Sequence, residues 1–434
     1  MSNQIKILLS RFLTRFGDQA WDFAIPLVLI SLFPGQLQNV AGYYLFSKMA
    51  QFFINPIVLR WIDHLPRKRI YQLGIGSQTI SVLITWILIL LFSQNLQLKH
   101  DIIFWLIYLS LAIVGIVGSL GATLMEISVG YDLAADQIHR DELPLFNSRL
   151  KRVDLITEVT APIFAGLLLM IPQASGWNIG FSLVAILNLV TFVPEYILLS
   201  SVSGINLKKN LQSTEGLANP IQEFKAGFRY FKDQSYVVPM LAYAFLWLSV
   251  LSPHGVLLAG YLKDSGHITE LNISIFRGFG AFFGMIPTFI FPIFNKKFGL
   301  VKTSKILLGF QTFCVLVGAF AFQLGGKNAL LIFLIMILFS RIGLYGFSIA
   351  ESEARQLFIP SSQRGRINGV GVSLTSFATL ILFGIGTLLP KSNDFSILVW
   401  LSTASVIIGF IILLKWKPTK LAEHKAATTT RAAQ

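Results

Sequence analysis

Cysteine is nearly absent: Cys314 is the only one in 434 residues, which excludes an intrachain disulfide framework and a thiolate metal cluster. Charge is scarce as well. Asp, Glu, Lys and Arg together make up 13% of the chain, about half their share in an ordinary globular protein. This length would suit about three soluble domains. Instead, apolar stretches of roughly twenty residues recur from the first ten positions to Trp416 and leave no room for one. There is no HExxH run and no nucleophile elbow, so catalytic metal chemistry or acyl transfer has no support.

What is abundant is apolar: hydrophobic residues make up 54% of the chain. Hydropathy predicts an all-α polytopic membrane protein with twelve transmembrane helices. They fall at about 7–33, 37–62, 70–93, 102–127, 144–171, 175–200, 235–262, 268–294, 301–323, 328–356, 366–389 and 394–416. The first span contains Arg11, Arg15, Asp18 and Asp22, so it is expected to stay in the protein and not to be a cleavable signal.

A net charge of +14 raises the question of nucleic acid, and its distribution answers no. Basic residues cluster in alternate loops, at Arg67–Arg69, Arg149–Arg152, Lys208–Lys209, Lys296–Lys297, Arg364–Arg366 and Lys415–Lys420. The other loops carry only Lys99, Lys263, Lys327 and Lys391. By the positive-inside rule the rich side is cytoplasmic, which places both termini there and implies an even helix count.

The longest polar interruption, Ser201–Ser235, divides the spans into six plus six. Its stretch from Gln222 to Phe231 suits an amphipathic surface helix. RWIDHLPRKR at Arg60–Arg69 and FPIFNKKFG at Phe291–Gly299 occupy matching places in the two halves. So do Asn147-x-Arg149 and Arg366-x-Asn368. Two similar six-helix lobes around a midplane site form the major-facilitator plan. The expected organisation is an N-lobe at 1–200, a cytoplasmic linker at 201–234, a C-lobe at 235–416 and a basic tail at 417–434.

Ionised groups at mid-bilayer cost about 2.5–3.5 kcal/mol on insertion scales and need a partner or a wet cavity. Three clusters stand out. In the first span Thr14, Asp18 and Asp22 share one helix face, beside Gly17. Their plain reading is an ion pair of Asp18 with Arg11 or Arg15. In the sixth span Asn188, Thr191, Phe192 and Glu195 share a face, and Pro194 is expected to free a carbonyl near 190–192. The plain reading there is a proline kink with an interhelical hydrogen bond. In the seventh span Ser252-Pro253-His254-Gly255 reads as a broken helix with His254 at membrane depth. His254 otherwise serves as an interhelical donor. Oxygen donors with one imidazole suit a borderline divalent cation such as Fe²⁺, Mn²⁺ or Co²⁺.

At these residues the sequence resembles the ferroportin family of iron exporters, in particular its bacterial members. GDQAWDF, FNSRLKRVD, NLVTFVPEY, LSPHG, SRIGLYGF and RGRIN follow in the family's order over nearly the whole chain. The resemblance implies an N-lobe site for transported metal from Thr14, Asp18, Asn188, Thr191 and the Phe192 backbone, and a C-lobe site centred on His254. It also implies activating calcium at Asp18, Gln78, Asn188 and Glu195, a set that shares Asp18 and Asn188 with the metal site. Intracellular gate contacts would lie among Asn147, Arg152, Asp154, Arg364 and Asn368, which otherwise read as loop-facing charges. Animal members carry a histidine at the place of Asp22, a cysteine at that of His254, and a further histidine in the eleventh span. Gly369–Leu389 here has neither histidine nor cysteine, so the C-lobe site is expected to be weaker or built differently, and peptide-hormone control to be absent.

The expected function is export of Fe²⁺, or of Mn²⁺, Co²⁺ or Ni²⁺, by alternating access, calcium-activated and proton-coupled, in a monomer of the bacterial inner membrane. The competing reading is a major-facilitator antiporter of small organic solutes, for which the 37 phenylalanines and 8 tryptophans allow an aromatic-lined cavity.

Overall fold

The computed structural model describes residues 2–32, 37–94, 102–169, 171, 179–202, 236–252, 257–258, 261–262, 270–388 and 395–417. Among them no strand occurs. The helices are α1 (Asn3–Leu32), α2 (Leu37–Leu59), α3 (Trp61–His64), α4 (Arg67–Gln94), α5 (Ile102–Ile127), α6 (Ala134–Gln137), α7 (Leu143–Leu169) and α8 (Ile179–Ser200). They continue as α9 (Val237–Leu246), α10 (Glu270–Met285), α11 (Pro287–Leu324), α12 (Lys327–Phe358), α13 (Arg364–Leu388) and α14 (Phe395–Leu414). The expected linker at 201–234 and tail at 417–434 lie almost wholly outside the described residues.

Six helical stretches among the described residues are long and apolar enough to cross a membrane: Arg67–Leu91, Trp105–Gln137, Ile179–Ser200, Ile275–Leu324, Lys327–Phe358 and Phe395–Leu414. α1 and α7 have the length, at 30 and 27 residues. They carry Arg11, Arg15, Asp18 and Asp22, and Arg149, Lys151, Arg152, Asp154 and Glu158, and are set apart by that polarity. α11 holds a true interruption. Gly299 has φ 74° and ψ 164°, a conformation that a β-carbon would disfavour, and the run from Pro287 changes direction there.

The chain forms two compact units. One comprises Met1–Gln137, Ile156–Lys225 and Ser361–Gly369; the other comprises Ile138–Leu155, Ala226–Pro360 and Val370–Gln434. In the first unit Ala20, Ala24, Ile25, Val28 and Leu29 of α1 pack with Tyr108, Leu111 and Ala112 of α5, Ala161 and Ala165 of α7, and Phe181 and Val184 of α8. The small residues at Ala20, Ala24, Ala161 and Ala165 let backbones approach, as in most membrane bundles. In the second unit the core joins α9, α11, α12 and α14 through Leu246, Leu308, Phe333, Phe347, Val399 and Val406. Cys314 is buried in α11.

Within the first unit α3 caps the start of α13. The Asp63 carboxylate accepts hydrogen bonds from the backbone N–H groups of Gly365 and Arg366 at 2.8 and 2.9 Å, satisfying donors that a helix N-terminus leaves open. Gly365 makes that approach possible, since a Cβ there would lie 1.9 Å from the Leu59 carbonyl oxygen. Because the obstacle is backbone, the alanine variant must move α13 away from its cap. Gly365→Ala is expected to destabilise the fold by about 1–3 kcal/mol, read as a lower thermal midpoint in detergent. An unchanged midpoint would contradict the close approach.

Candidate functional site

α1 and α8 pack along their length, and Gly17 sets how close they come. A Cβ on Gly17 would lie 2.7 Å from Thr191 Oγ1 and 3.3 Å from Asn188 Oδ1. The Asn188 amide donates to the Gly17 carbonyl at 3.0 Å. Thr191 donates to the Asn188 carbonyl at 2.7 Å, and Thr14 to the Ser10 carbonyl at 3.0 Å. With the donors committed in this way, acceptor oxygens are left over. Asn188 Oδ1, Gln78 Oε1 and both Glu195 carboxylate oxygens are buried without a hydrogen-bond partner. Thr14 is the hydroxyl neighbour of Glu195, but its proton goes to Ser10.

The structure thus brings Thr14 and Asp18 of α1 together with Asn188, Thr191 and Glu195 of α8. Gln78 lies on α4, which packs against α8, and its amide nitrogen donates to the Gly74 carbonyl at 3.3 Å. Phe192 is buried on the same face. α8 runs unbroken through Pro194. The carbonyl deprived of its donor four residues back is that of Val190, whose side chain is 61% exposed and thus on the face away from the stripe. The plain reading of Asp18 as partner of Arg11 and Arg15 meets a competitor, because both arginines reach Glu126 of α5, at 3.5 and 4.0 Å. Among the described residues no three or more His, Cys, Asp or Glu side chains cluster. Any ion held here would rest on two carboxylates with amide, hydroxyl and carbonyl oxygens.

His254 lies outside the described residues, and the structure reaches its segment only as far as Ser252. α9 ends at Leu246 and residues 249–252 have left the helix. Within the segment Leu251 N–H donates to the Ser249 hydroxyl and Ser252 N–H to the Val250 carbonyl, and α12 and α14 supply further partners here and at the end of α9. Ser405 donates to the Phe245 carbonyl at 2.7 Å, Ser402 Oγ accepts from Val250 N–H at 2.9 Å, and Arg341 donates to the Leu251 carbonyl. Non-helical backbone at membrane depth requires partners of this kind.

The five gate candidates divide between the units. In the second, Asn147 and Gln356 exchange two amide hydrogen bonds of 2.6 and 2.9 Å. Arg152 donates to the Thr288 hydroxyl and carbonyl, both at 2.9 Å, and stacks over Phe289 at 3.7 Å. Asp154 is half-buried in the same unit. In the first, Asn368 is fully buried and Arg364 donates to Asp136 at 2.6 Å and to the Asp132 carbonyl at 3.2 Å. Arg67 of α4 binds the same two carboxylates, Asp132 at 2.8 Å and Asp136. This network, with Asp132 fully buried, was not anticipated. Its signal was the Asp132/Asp136 repeat just past the fourth span, where a π turn at Ser128–Leu133 points both acids at α4.

The fold is that of the major facilitator class. FucP, a transporter of that superfamily, matches with a TM-score of 0.69 at 12% identity, over 96% of this chain and 99% of its own. The family is narrower. The sequence pattern described as Ferroportin1 (FPN1) matches residues 2–406. Ferreportin of Bdellovibrio bacteriovorus is 40% identical over 422 residues, 95% of this chain and 94% of its own. A crystal structure of a bacterial homologue of the iron transporter ferroportin matches with a TM-score of 0.88 at 40% identity, over 96% of this chain and 99% of that one. The chain belongs to the ferroportin family and is a multi-pass membrane protein of all-helical fold, not an enzyme.

The buried arginine network makes a prediction about stability. Removing one partner of a buried pair leaves an uncompensated charge, at about 3–5 kcal/mol. Asp132→Ala should approach that loss in urea unfolding in detergent. Asp136→Ala should cost clearly less, since its side chain is 33% exposed and solvent screens it. Equal losses would show that the greater burial of Asp132 does not set the size of its contribution.

Proposed function

We propose that the protein transports a divalent transition metal, Fe²⁺ or a similar ion, across the membrane by alternating access. The observation that carries this reading is the set of buried oxygens without donors at Asn188, Glu195 and Gln78, beside Asp18 on the facing helix. A buried acceptor without a donor costs about 1–3 kcal/mol, and a cation offsets that cost. The similarity to ferreportin and to a bacterial homologue of an iron transporter supports metal as the cargo. Twelve spans in two lobes, 1–200 and 235–416, a seventh span broken at Ser252–Gly255 around His254, cytoplasmic termini, and a monomer of the bacterial inner membrane complete the proposal. Coupling to protons belongs to it as well.

Thr14, Asp18, Asn188, Thr191 and the Phe192 carbonyl would hold the cargo in the first lobe, and His254 in the second. Asn147, Arg152, Asp154, Arg364 and Asn368 would form the gate. An all-oxygen set with few charges favours turnover over storage, since a transported ion must also leave. Asp18→Ala should abolish most Co²⁺ or Fe²⁺ transport in proteoliposomes while the protein stays monodisperse. Wild-type flux in that variant would sink the proposal.

The same oxygens fit calcium, which takes about six to eight hard oxygen ligands. Asp18, Gln78, Asn188 and Glu195 would hold it, drawing on the donorless atoms of α4 and α8. When bound it would supply a fixed double charge that ties α1, α4 and α8 to one centre, favouring one conformation over another. Glu195→Gln should weaken calcium binding by about tenfold or more, seen by calorimetry and by loss of the calcium-induced rise in thermal midpoint. Equal calcium isotherms for the variant and the parent would remove Glu195 from the ligand set.

A further inference from the structure

Asp18 does not stand alone on α1. Arg15 precedes it by three residues, a spacing at which helical side chains meet, and Arg11 lies one turn further back. Unopposed, Arg15 would fold onto Asp18 and occupy the position a cation needs. Both guanidiniums instead converge on one oxygen of a residue from another helix. Arg11 Nη2 lies 3.5 Å and Arg15 Nη2 4.0 Å from Glu126 Oε1. Glu126 sits at the end of α5, its side chain 41% exposed, whereas that of Arg11 is 7% exposed. The other charged groups around Asp18 and its neighbour Asp22 are Lys48 of α2, which also hydrogen-bonds Gln51 at 2.9 Å, and Glu195 of α8.

We propose that Glu126 is a charge clamp: it holds Arg11 and Arg15 away from Asp18, so that the Asp18 carboxylate stays available to the transported cation. Glu126 is thereby a positioning residue, acting on the site through two arginines. This deepens the proposed function and rests on its assignment of Asp18 as a ligand. The physical requirement is local. A guanidinium on Asp18 satisfies it with charge-assisted hydrogen bonds, and a divalent ion must then displace that guanidinium before it can bind.

The test is Co²⁺ calorimetry on the purified full-length protein in detergent. Glu126→Gln should weaken Co²⁺ binding by about tenfold, and Glu126→Gln with Arg15→Gln should recover most of the loss. Glu126→Gln with Lys48→Gln has the same formal charge as that double variant but leaves both arginines in place, so it should not recover. Equal rescue by the two double variants would show a long-range field only, and would overturn the clamp. Parental affinity in Glu126→Gln would overturn it too. Should Glu126→Gln not purify intact, Arg15→Gln is compared with the Glu126→Gln/Arg15→Gln double variant. The clamp requires their affinities to agree within about threefold; a wider gap overturns it. Asp18→Ala in the same assay separates the two levels, since unaltered Co²⁺ binding there sinks the ligand assignment and the clamp with it.

Discussion

Hydrocarbon offers no hydrogen bonds, so each polar atom within a membrane helix must find its partner in the protein. Most of this chain obeys that demand closely. Serine and threonine hydroxyls turn back onto carbonyls one turn earlier, as at Thr79, Ser304, Thr312 and Thr403. Several buried arginines are paired with acids, Arg67 and Arg364 with Asp132 and Asp136, and Arg355 with Glu351. Where α9 ends, Arg341 and two serines take over the backbone groups that the helix no longer serves. Against that background the donorless oxygens of Asn188, Gln78 and Glu195 carry weight. Other buried polar atoms also lack partners, Asn55, Thr303 and Gln311 Oε1 among them. Among the described residues, though, only at α8 does an ionisable carboxylate lack them on both oxygens, with Asp18 on the facing helix.

Close approach is the second requirement, and glycine meets it at many places, Gly121, Gly343 and Gly371 among them. Gly17 brings α1 onto the polar stripe of α8, and Gly365 brings α13 under the α3 carboxylate. Gly180 lets α8 start against the Leu168 carbonyl, where a Cβ would fall at 2.3 Å. At Gly17 and Gly365 the missing side chain positions a polar contact and not only a packing one. The first unit therefore couples its fold to its chemistry: the α1–α8 spacing that completes the core around Ala20 and Phe181 also sets the reach of Asn188 and Thr191.

Periodicity made part of this legible in advance. Asn188, Thr191 and Glu195 stand on one helical face because 3.6 residues make a turn, and the structure brings the first two to Gly17. Partners distant in sequence were not legible in that way. Arg67 and Asp132 are 65 positions apart and Asn147 and Gln356 are 209 apart, and no local pattern links such pairs. Pro194 illustrates the limit of a local rule. It frees a carbonyl as expected, but the helix rotation places Val190 on the far side from the stripe. The seventh span shows another limit. Pro253 and Gly255 point to a break around His254, which lies outside the described residues, and nothing local in the sequence marks the end of α9 at Leu246, where α12 and α14 supply hydrogen bonds.

The single cysteine has a practical consequence. Cys314 is 2% exposed on α11, so an aqueous thiol reagent has no route to its sulfur in the folded state. The native protein is in effect already a cysteine-free background for site-directed labelling. Spin or fluorophore pairs introduced on solvent-facing helix ends would report distances without first mutating the scaffold, and a signal from Cys314 itself would mark the unfolded fraction of a preparation.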